Sequence, residues 1–325
     1  MSRLPRNCFT YSLDSLRVPE RVTALIRRIA SLIHGIASLI IKIMIQTWRI
    51  TSTENVSIDI RAASLDEVTR QLPGGYYSTF RTFDGCTRVL GLSAHLHRLY
   101  EPVSTPEVTD HALRRQLFTL LEPYHPSEAR VRVIMTKQGQ VYLAAEPLKL
   151  LPPAVYEHGV RVETTELHRL QPHLKSTSFI ERSDAERKHI AREGVFEALL
   201  VKDGKILEGM TSNFFYVGQT ALEKPQQAGT QAYLGTAREN ILPGITRDTV
   251  IEIARGRGLE VKYLPLSLNQ LETITEAFIT SSSRGVVPVI QINQVTIGEG
   301  RPGPITRQLS VSYDAQVMDK AERIL

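Results

Sequence analysis

The stretch that most restricts the fold is EALLVKDGKILEGMTSNFF, residues 197–215. Two short apolar runs flank Asp203-Gly204. An Asp-Gly pair supplies the two positive-φ positions of a tight turn and folds its flanking runs back as antiparallel strands. A chain built around such a hairpin must bury at least one face of the resulting ladder. Yet the second run ends in Glu208-Gly209, followed by Thr211, Ser212, Asn213 and two phenylalanines. A carboxylate stands where its surroundings call for burial, and a buried charge is costly unless it is paired.

The rest of the chain mixes strand and helix signals. VRVIMTKQGQVYLAAEPL, residues 131–148, alternates apolar and polar residues around a Gly139 turn, a second hairpin. SDAERKHIAREG, residues 183–194, reads as a helix with Ser183 as its N-cap and a glycine at its end. Residues 242–258 are a glycine turn opening into a helix, and 276–292 a strand, a serine-rich turn and a second strand. The Pro-rich stretch at 150–160 reads as a linker. At 325 residues the chain has room for two domains, expected at 56–152 and 153–325 after an extension over 1–55. The two cysteines, Cys8 and Cys86, lie in no metal-binding or disulfide spacing, so a metal site is not expected and a reducing, cytoplasmic setting is.

The extension carries most of the net charge. Residues 1–50 hold eight basic and two acidic groups, a net of +6, against +5 for the whole chain, so the remainder is close to neutral at −1. A near-neutral body without a basic stripe argues against nucleic-acid binding. Residues 17–50 read as a helix after Pro19, with an apolar run at 29–41 too short for a membrane span of about 20 residues. Three readings fit: an amphipathic surface helix, an Arg-rich transit-like segment, or upstream sequence ahead of a start at Met44. Membrane contact is expected, if anywhere, through residues 17–50.

Several segments carry chemistry. In LPGITR the chain turns at Gly244, and Ile245 and Thr246 open a helix whose free N–H groups suit a phosphate. TSSSRG, residues 280–285, ends a strand in small hydroxyl residues able to form an N–H nest. LSAHLHRL places Arg98 on a helix, a fixed cation for an anionic group. HLKSTSF sets Lys175 among hydroxyls beside Phe179. A lysine becomes a nucleophile when burial or nearby positive charge keeps it neutral. Each signal is weak alone. In order they supply an amine, a carboxylate and three phosphate-binding elements, the set pyridoxal 5′-phosphate needs for its aldehyde, ring nitrogen and phosphate.

In the segments YYSTFRTFDG, LSAHLHRL, LKSTSF, DGKILEGMTSNFFYV, LPGITRDTVIEIA and EAFITSSSRGVVPV, the chain resembles the class IV, fold-type IV, aminotransferases over residues 72–313. That family includes branched-chain and D-amino-acid aminotransferases and aminodeoxychorismate lyases. The resemblance implies an α+β fold of two domains, like the D-amino-acid aminotransferases, with pyridoxal phosphate in the cleft between them. It implies Lys175 as the lysine that joins the cofactor's aldehyde. Arg98, Ile245, Thr246 and Ser282 are implied at the phosphate and Glu208 at the ring nitrogen, with Gly209 letting the backbone lie close to the cofactor. Substrate contacts are expected from Arg81, Tyr76, Ser212 and Ser283, and of Tyr76 and Tyr77 only one faces inward on a strand. A homodimer is implied, as are an amino acid, branched-chain-like, and a 2-oxo acid such as 2-oxoglutarate as the exchanging pair.

The chain departs from the branched-chain pattern at Ile180, where those enzymes carry a tyrosine five residues after the lysine. Its opening segment, LPGGYYSTFRTFDG, lacks the usual acidic residues. Aminodeoxychorismate lyase is therefore the alternative within the family. A cofactor-binding or interaction protein without turnover is the alternative outside it.

Overall fold

Short alternating runs pair into two sheets in the computed structural model, which describes residues 45–221 and 230–325. In chain order the first six strands are β1 (Gln46–Ile50), β2 (Asn55–Ile58), β3 (Gly75–Phe83), β4 (Arg88–Leu90), β5 (Ala129–Thr136) and β6 (Val141–Pro147). With the C-terminal β17 (Ala321–Arg323) they form a seven-stranded antiparallel sheet ordered β17-β4-β3-β5-β6-β1-β2. The hairpin expected around Gly139 is β5–β6, with Val133 opposite Leu143.

Two strands fall outside the boundaries expected from sequence. Residues 46–50, read as the end of a helix, are β1, which pairs with β6 and buries Thr47, Trp48 and Ile50. A β-branched and aromatic pentapeptide with a ready strand partner gains more from the ladder than from a helix. The final strand, β17, returns to the first sheet instead of staying with residues 153–320. The three readings were made on residues 17–50, of which those up to 44 lie outside the described residues.

The second sheet takes β7 (Val160–Thr165), β8 (Glu197–Lys202), β9 (Lys205–Gly209), β10 (Asn213–Ala221), β11 (Thr230–Thr236), β12 (Glu260–Lys262), β13 (Leu266–Ser267), β14 (Glu276–Ser281), β15 (Gly285–Ile292) and β16 (Val295–Thr296). Its order is β12-β11-β10-β14-β15-β7-β8-β9-β13. One further pairing, Glu208 of β9 with Asn213 of β10, closes six of these strands into a ring. Asp203 and Gly204 both have positive φ, 51° and 69°, so the β8–β9 turn is the tight type expected.

One side of this sheet buries a cluster that includes Val162, Leu199, Phe214 and Ile279. The other packs Phe215, Val217 and Phe278 against helices Ile245–Gly256 and Pro304–Lys320 through Val250 and Leu309. Each fully buried side chain of this kind contributes about 1.5–3 kcal/mol. Helix Asp184–Arg192 forms as expected, but Ser183 does not cap it. A preceding helix, Ser178–Arg182, places the Ser183 hydroxyl within reach of the Phe179 carbonyl, to which it donates at 2.6 Å. Among the described residues no helix is long and apolar enough to cross a membrane.

Candidate active site

Between the two sheets lies a cavity of about 410 Å³. Its walls include Arg98, Lys175, Glu208, Ile245, Thr246 and Ser282, together with Ser212 and Ser283. Eight of the ten residues picked out in the sequence thus come to one place from separate elements.

Lys175 lies outside regular structure, on a segment that pairs with the edge of β3. The Tyr77 N–H donates to the Lys175 carbonyl at 2.9 Å, and Tyr76 bridges Ser176. This pairing points the Tyr77 ring into the cavity, with Lys175 Nζ 5.2 Å from its centroid. Burial, and then the nearby guanidiniums of Arg98, Arg169 and Arg132, hold the Lys175 amine well below the usual lysine range. A neutral amine at this position is the form that attacks carbonyls and accepts protons.

Glu208 is the penultimate residue of β9, with its side chain buried. Arg169 Nε donates to its Oε1 at 2.8 Å, and the Leu242 N–H donates to its Oε2 at 3.0 Å. Burial raises the Glu208 carboxyl above its ordinary range, and Arg169 and the Leu242 N–H pull against that shift. Arg169 also donates to the Met210 carbonyl at 2.8 Å and packs its guanidinium 4.0 Å from the Phe179 ring. Asn213 Nδ2 donates to the Leu242 carbonyl at 2.9 Å, which ties the strand after Glu208 to the turn before helix Ile245–Gly256.

That turn also meets Arg98. Helix Leu92–Tyr100 sends Arg98 Nη1 to the Pro243 carbonyl at 2.9 Å and Nη2 to Ser78 Oγ at 3.1 Å. Helix Ile245–Gly256 has no side-chain cap, and its first residues, Ile245 and Thr246, line the cavity together with Gly244. Here a cation, a helix N-terminus and the Ser282 turn line one cavity, a combination that suits an anion.

Two expected contacts do not reach the cavity. Tyr76 points away, since the pleat turns its neighbour Tyr77 inward instead. Arg81 stacks on Phe83, with its guanidinium 4.3 Å from the ring centroid, and is absent from the cavity wall. At Gly209 the packing of the protein alone already requires a glycine. A Cβ there would lie 2.2 Å from Ser212 Oγ and 3.1 Å from Glu197 Cγ.

Sequence reasoning passed over Arg169, Arg130, Arg132, Glu197 and Arg284, all of which line the cavity. Arg284 was within reach, as the basic residue of TSSSRG. Arg169 sits in a loop with no periodicity, six residues before Lys175, and gave no signal.

Several buried donors in this wall have no protein partner among the described residues: Arg98 Nε, Arg169 Nη1 and Thr280 Oγ1. Unpaired buried donors cost about 1–3 kcal/mol each, so their gathering in one cavity fits a ligand rich in acceptors. A phosphorylated aromatic aldehyde meets the set: the cation and helix end suit its phosphate, the buried lysine amine its carbonyl, and the buried carboxylate a ring N–H.

The chain matches the class IV aminotransferase family over residues 75–292 and belongs to it. It is thus an enzyme, a transaminase of the class that works through pyridoxal 5′-phosphate. Its relatives include the protein named "Putative branched-chain-amino-acid aminotransferase" of Methanocaldococcus jannaschii, 30% identical over 265 residues, covering 74% of this chain and 85% of that one. The D-alanine aminotransferase of Bacillus licheniformis is 25% identical over 281 residues, covering 81% and 94%. The fold is also that of a hypothetical aminotransferase from Mycobacterium tuberculosis, solved in a PLP-bound form. That match has a TM-score of 0.66 at 20% identity and covers 84% of this chain and 99% of that one.

Proposed function

We propose that the enzyme moves an amino group from a branched-chain or related amino acid to a dicarboxylic 2-oxo acid such as 2-oxoglutarate. The observation that carries this reading is the convergence in one cavity of the Lys175 amine, which burial and three nearby guanidiniums push well below the usual lysine range, with the buried Glu208 and the anion cup. When bound, the cofactor supplies an electrophilic carbon for the amino group and an electron-withdrawing ring beside the substrate Cα. Lys175 Nζ takes the Cα proton and delivers it to the neighbouring carbon, because one flexible amine reaches both. Glu208 would accept a hydrogen bond from the ring N–H and so favour the protonated ring. Arg98, the N–H groups of Ile245 and Thr246 and the Ser282 hydroxyl would hold the phosphate.

The remaining wall supports the choice of substrates. Leu148, Leu151, Ile190, Phe196 and Met210 give it an apolar part fit for an aliphatic side chain. One corner gathers Arg130, Arg132 and Arg187 around Asp66, with Glu146 as a second carboxylate on Arg130. Three guanidiniums against two carboxylates leave a positive excess, which favours an acceptor with a second carboxylate. We further propose a homodimer. Leu150 and Leu170, 67% and 72% exposed, flank wall residues Leu151 and Arg169 and offer an apolar rim for a second copy.

Ile180 favours a second reading, aminodeoxychorismate lyase. It is fully buried against Tyr77 and Ile134 and supplies no hydroxyl to the cofactor. A panel of amino donors with 2-oxoglutarate, run beside pyruvate release from aminodeoxychorismate without an acceptor, separates the two. Aliphatic donors are expected to turn over only with the acceptor present. Lys175→Ala is expected to lower that turnover by at least about 10⁴-fold. Substantial turnover by the variant would remove the lysine from its role.

A further inference from the structure

Glu197 is a charged side chain with no part in the chemistry above. It opens β8, and its side chain is 2% exposed. Its Oε2 accepts from the Thr211 hydroxyl, from Ser212 Oγ at 3.2 Å and from Arg284 Nη2 at 3.1 Å. Arg284 spreads the contact further. The same Nη2 donates to Thr211 Oγ1 at 2.6 Å, Nε donates to Ser281 Oγ at 3.1 Å, and the guanidinium lies 5.2 Å from the Phe196 ring. Tyr156 donates to the Arg284 carbonyl at 2.8 Å. The Ser212 hydroxyl, expected to meet substrate, lines the cavity with its proton donated to Glu197.

We propose that Glu197 is a positioning residue that sets the geometry of the phosphate site. One carboxylate holds two cavity-facing turns, residues 210–213 and 281–284, which come from different strands. Ser282 sits between Ser281 and Arg284, the two residues tied into this latch. Its hydroxyl and the neighbouring amides therefore keep their aim through a charge-assisted pair rather than through packing alone. Gly209 is part of the same device, since a side chain there would displace both Ser212 and Glu197. The inference rests on the proposed role of Ser282 at the phosphate.

The test is equilibrium binding to the cofactor-free protein of two probes, pyridoxal 5′-phosphate and pyridoxal, which differ only in the phosphate. Wild type is expected to prefer the phosphorylated probe strongly. Glu197→Gln is expected to raise the Kd of pyridoxal 5′-phosphate about tenfold and to leave that of pyridoxal within about twofold. The double variant Glu197→Met with Arg284→Met leaves no unpaired buried charge, so it recovers thermal stability relative to Arg284→Met while the phosphate preference stays reduced. It gives the same reading if the single variant fails to fold. A wild type that prefers the phosphate and variants that keep the full preference would overturn the inference alone. A wild type without any preference would overturn both it and the assignment of Ser282. Equal weakening of both probes would reduce Glu197 to a structural role and also overturn the proposal.

Discussion

His95 is enclosed on every side, 1% exposed, one helical turn before Arg98. Its Nδ1 lies 2.8 Å from Ser78 Oγ, which in turn accepts from Arg98, and its ring tilts against Phe80 at 5.1 Å. Burial, and then the charge of Arg98, push this imidazole well below the usual 6.5. Below pH 6.5 the unfolded chain therefore binds a proton that the folded chain refuses. Stability falls as pH drops through that window, by up to about 1.4 kcal/mol per pH unit from this one group. His95→Gln is expected to flatten the slope between pH 6.5 and 5 by up to that amount, read from urea unfolding across a pH series. An unchanged slope would mean that the ring titrates as it does in water. At this scale the sequence was most readable where chemistry and pattern disagreed. A carboxylate at the end of an apolar strand drew attention to Glu208, whereas its partner Arg169 lay in an unpatterned loop that gave no reason to single it out.

Elements were legible where local rules suffice and obscure where a partner decides. The Asp203-Gly204 and Gly139 hairpins and the helix after Gly244 each follow from a few adjacent residues. Residues 46–50 became a strand because β6 offers an edge, and no window of sequence contains that fact. The choice between Tyr76 and Tyr77 depended on which face of β3 meets the Lys175 segment, again a long-range matter. A prediction belongs here. Gly91 precedes helix Leu92–Tyr100 with φ 62°, and a Cβ on it would lie 2.6 Å from Ile245 Cγ2. The glycine thus lets the helix that carries Arg98 start directly against the one that opens at Ile245. Gly91→Ala combines left-handed backbone strain with overpacking and is expected to cost about 2–4 kcal/mol of stability. It should also weaken binding of pyridoxal 5′-phosphate more than of pyridoxal, because it separates the two sides of the anion cup. A variant with wild-type melting and binding would show that the contact is slack.

At the scale of the molecule the cavity needs both sheets, and neither hairpin alone announces it. Tyr77, Arg130 and Arg132 come from the first sheet, and Glu197, Glu208 and Thr280 from the second. The order of motifs along the chain made the class legible, but their convergence is a property of the tertiary fold. The apolar rim supports a prediction at this level. The 36.5 kDa chain is expected to run at twice that mass in light scattering, and Leu170→Asp to shift it toward the single-chain value with raised KM. A wild type that scatters as a single chain would remove the proposed second copy.

The ring of six strands closes through one residue pair, Glu208 with Asn213, at the acid proposed to meet the ring nitrogen. A cofactor seated there would grip both lips of a seam. Escape of the cofactor and the first parting of the barrel would then be a single event, sharing one barrier. Retention of the coenzyme on warming would follow the steep temperature dependence of unfolding rather than the gentle one of a ligand leaving an open cleft.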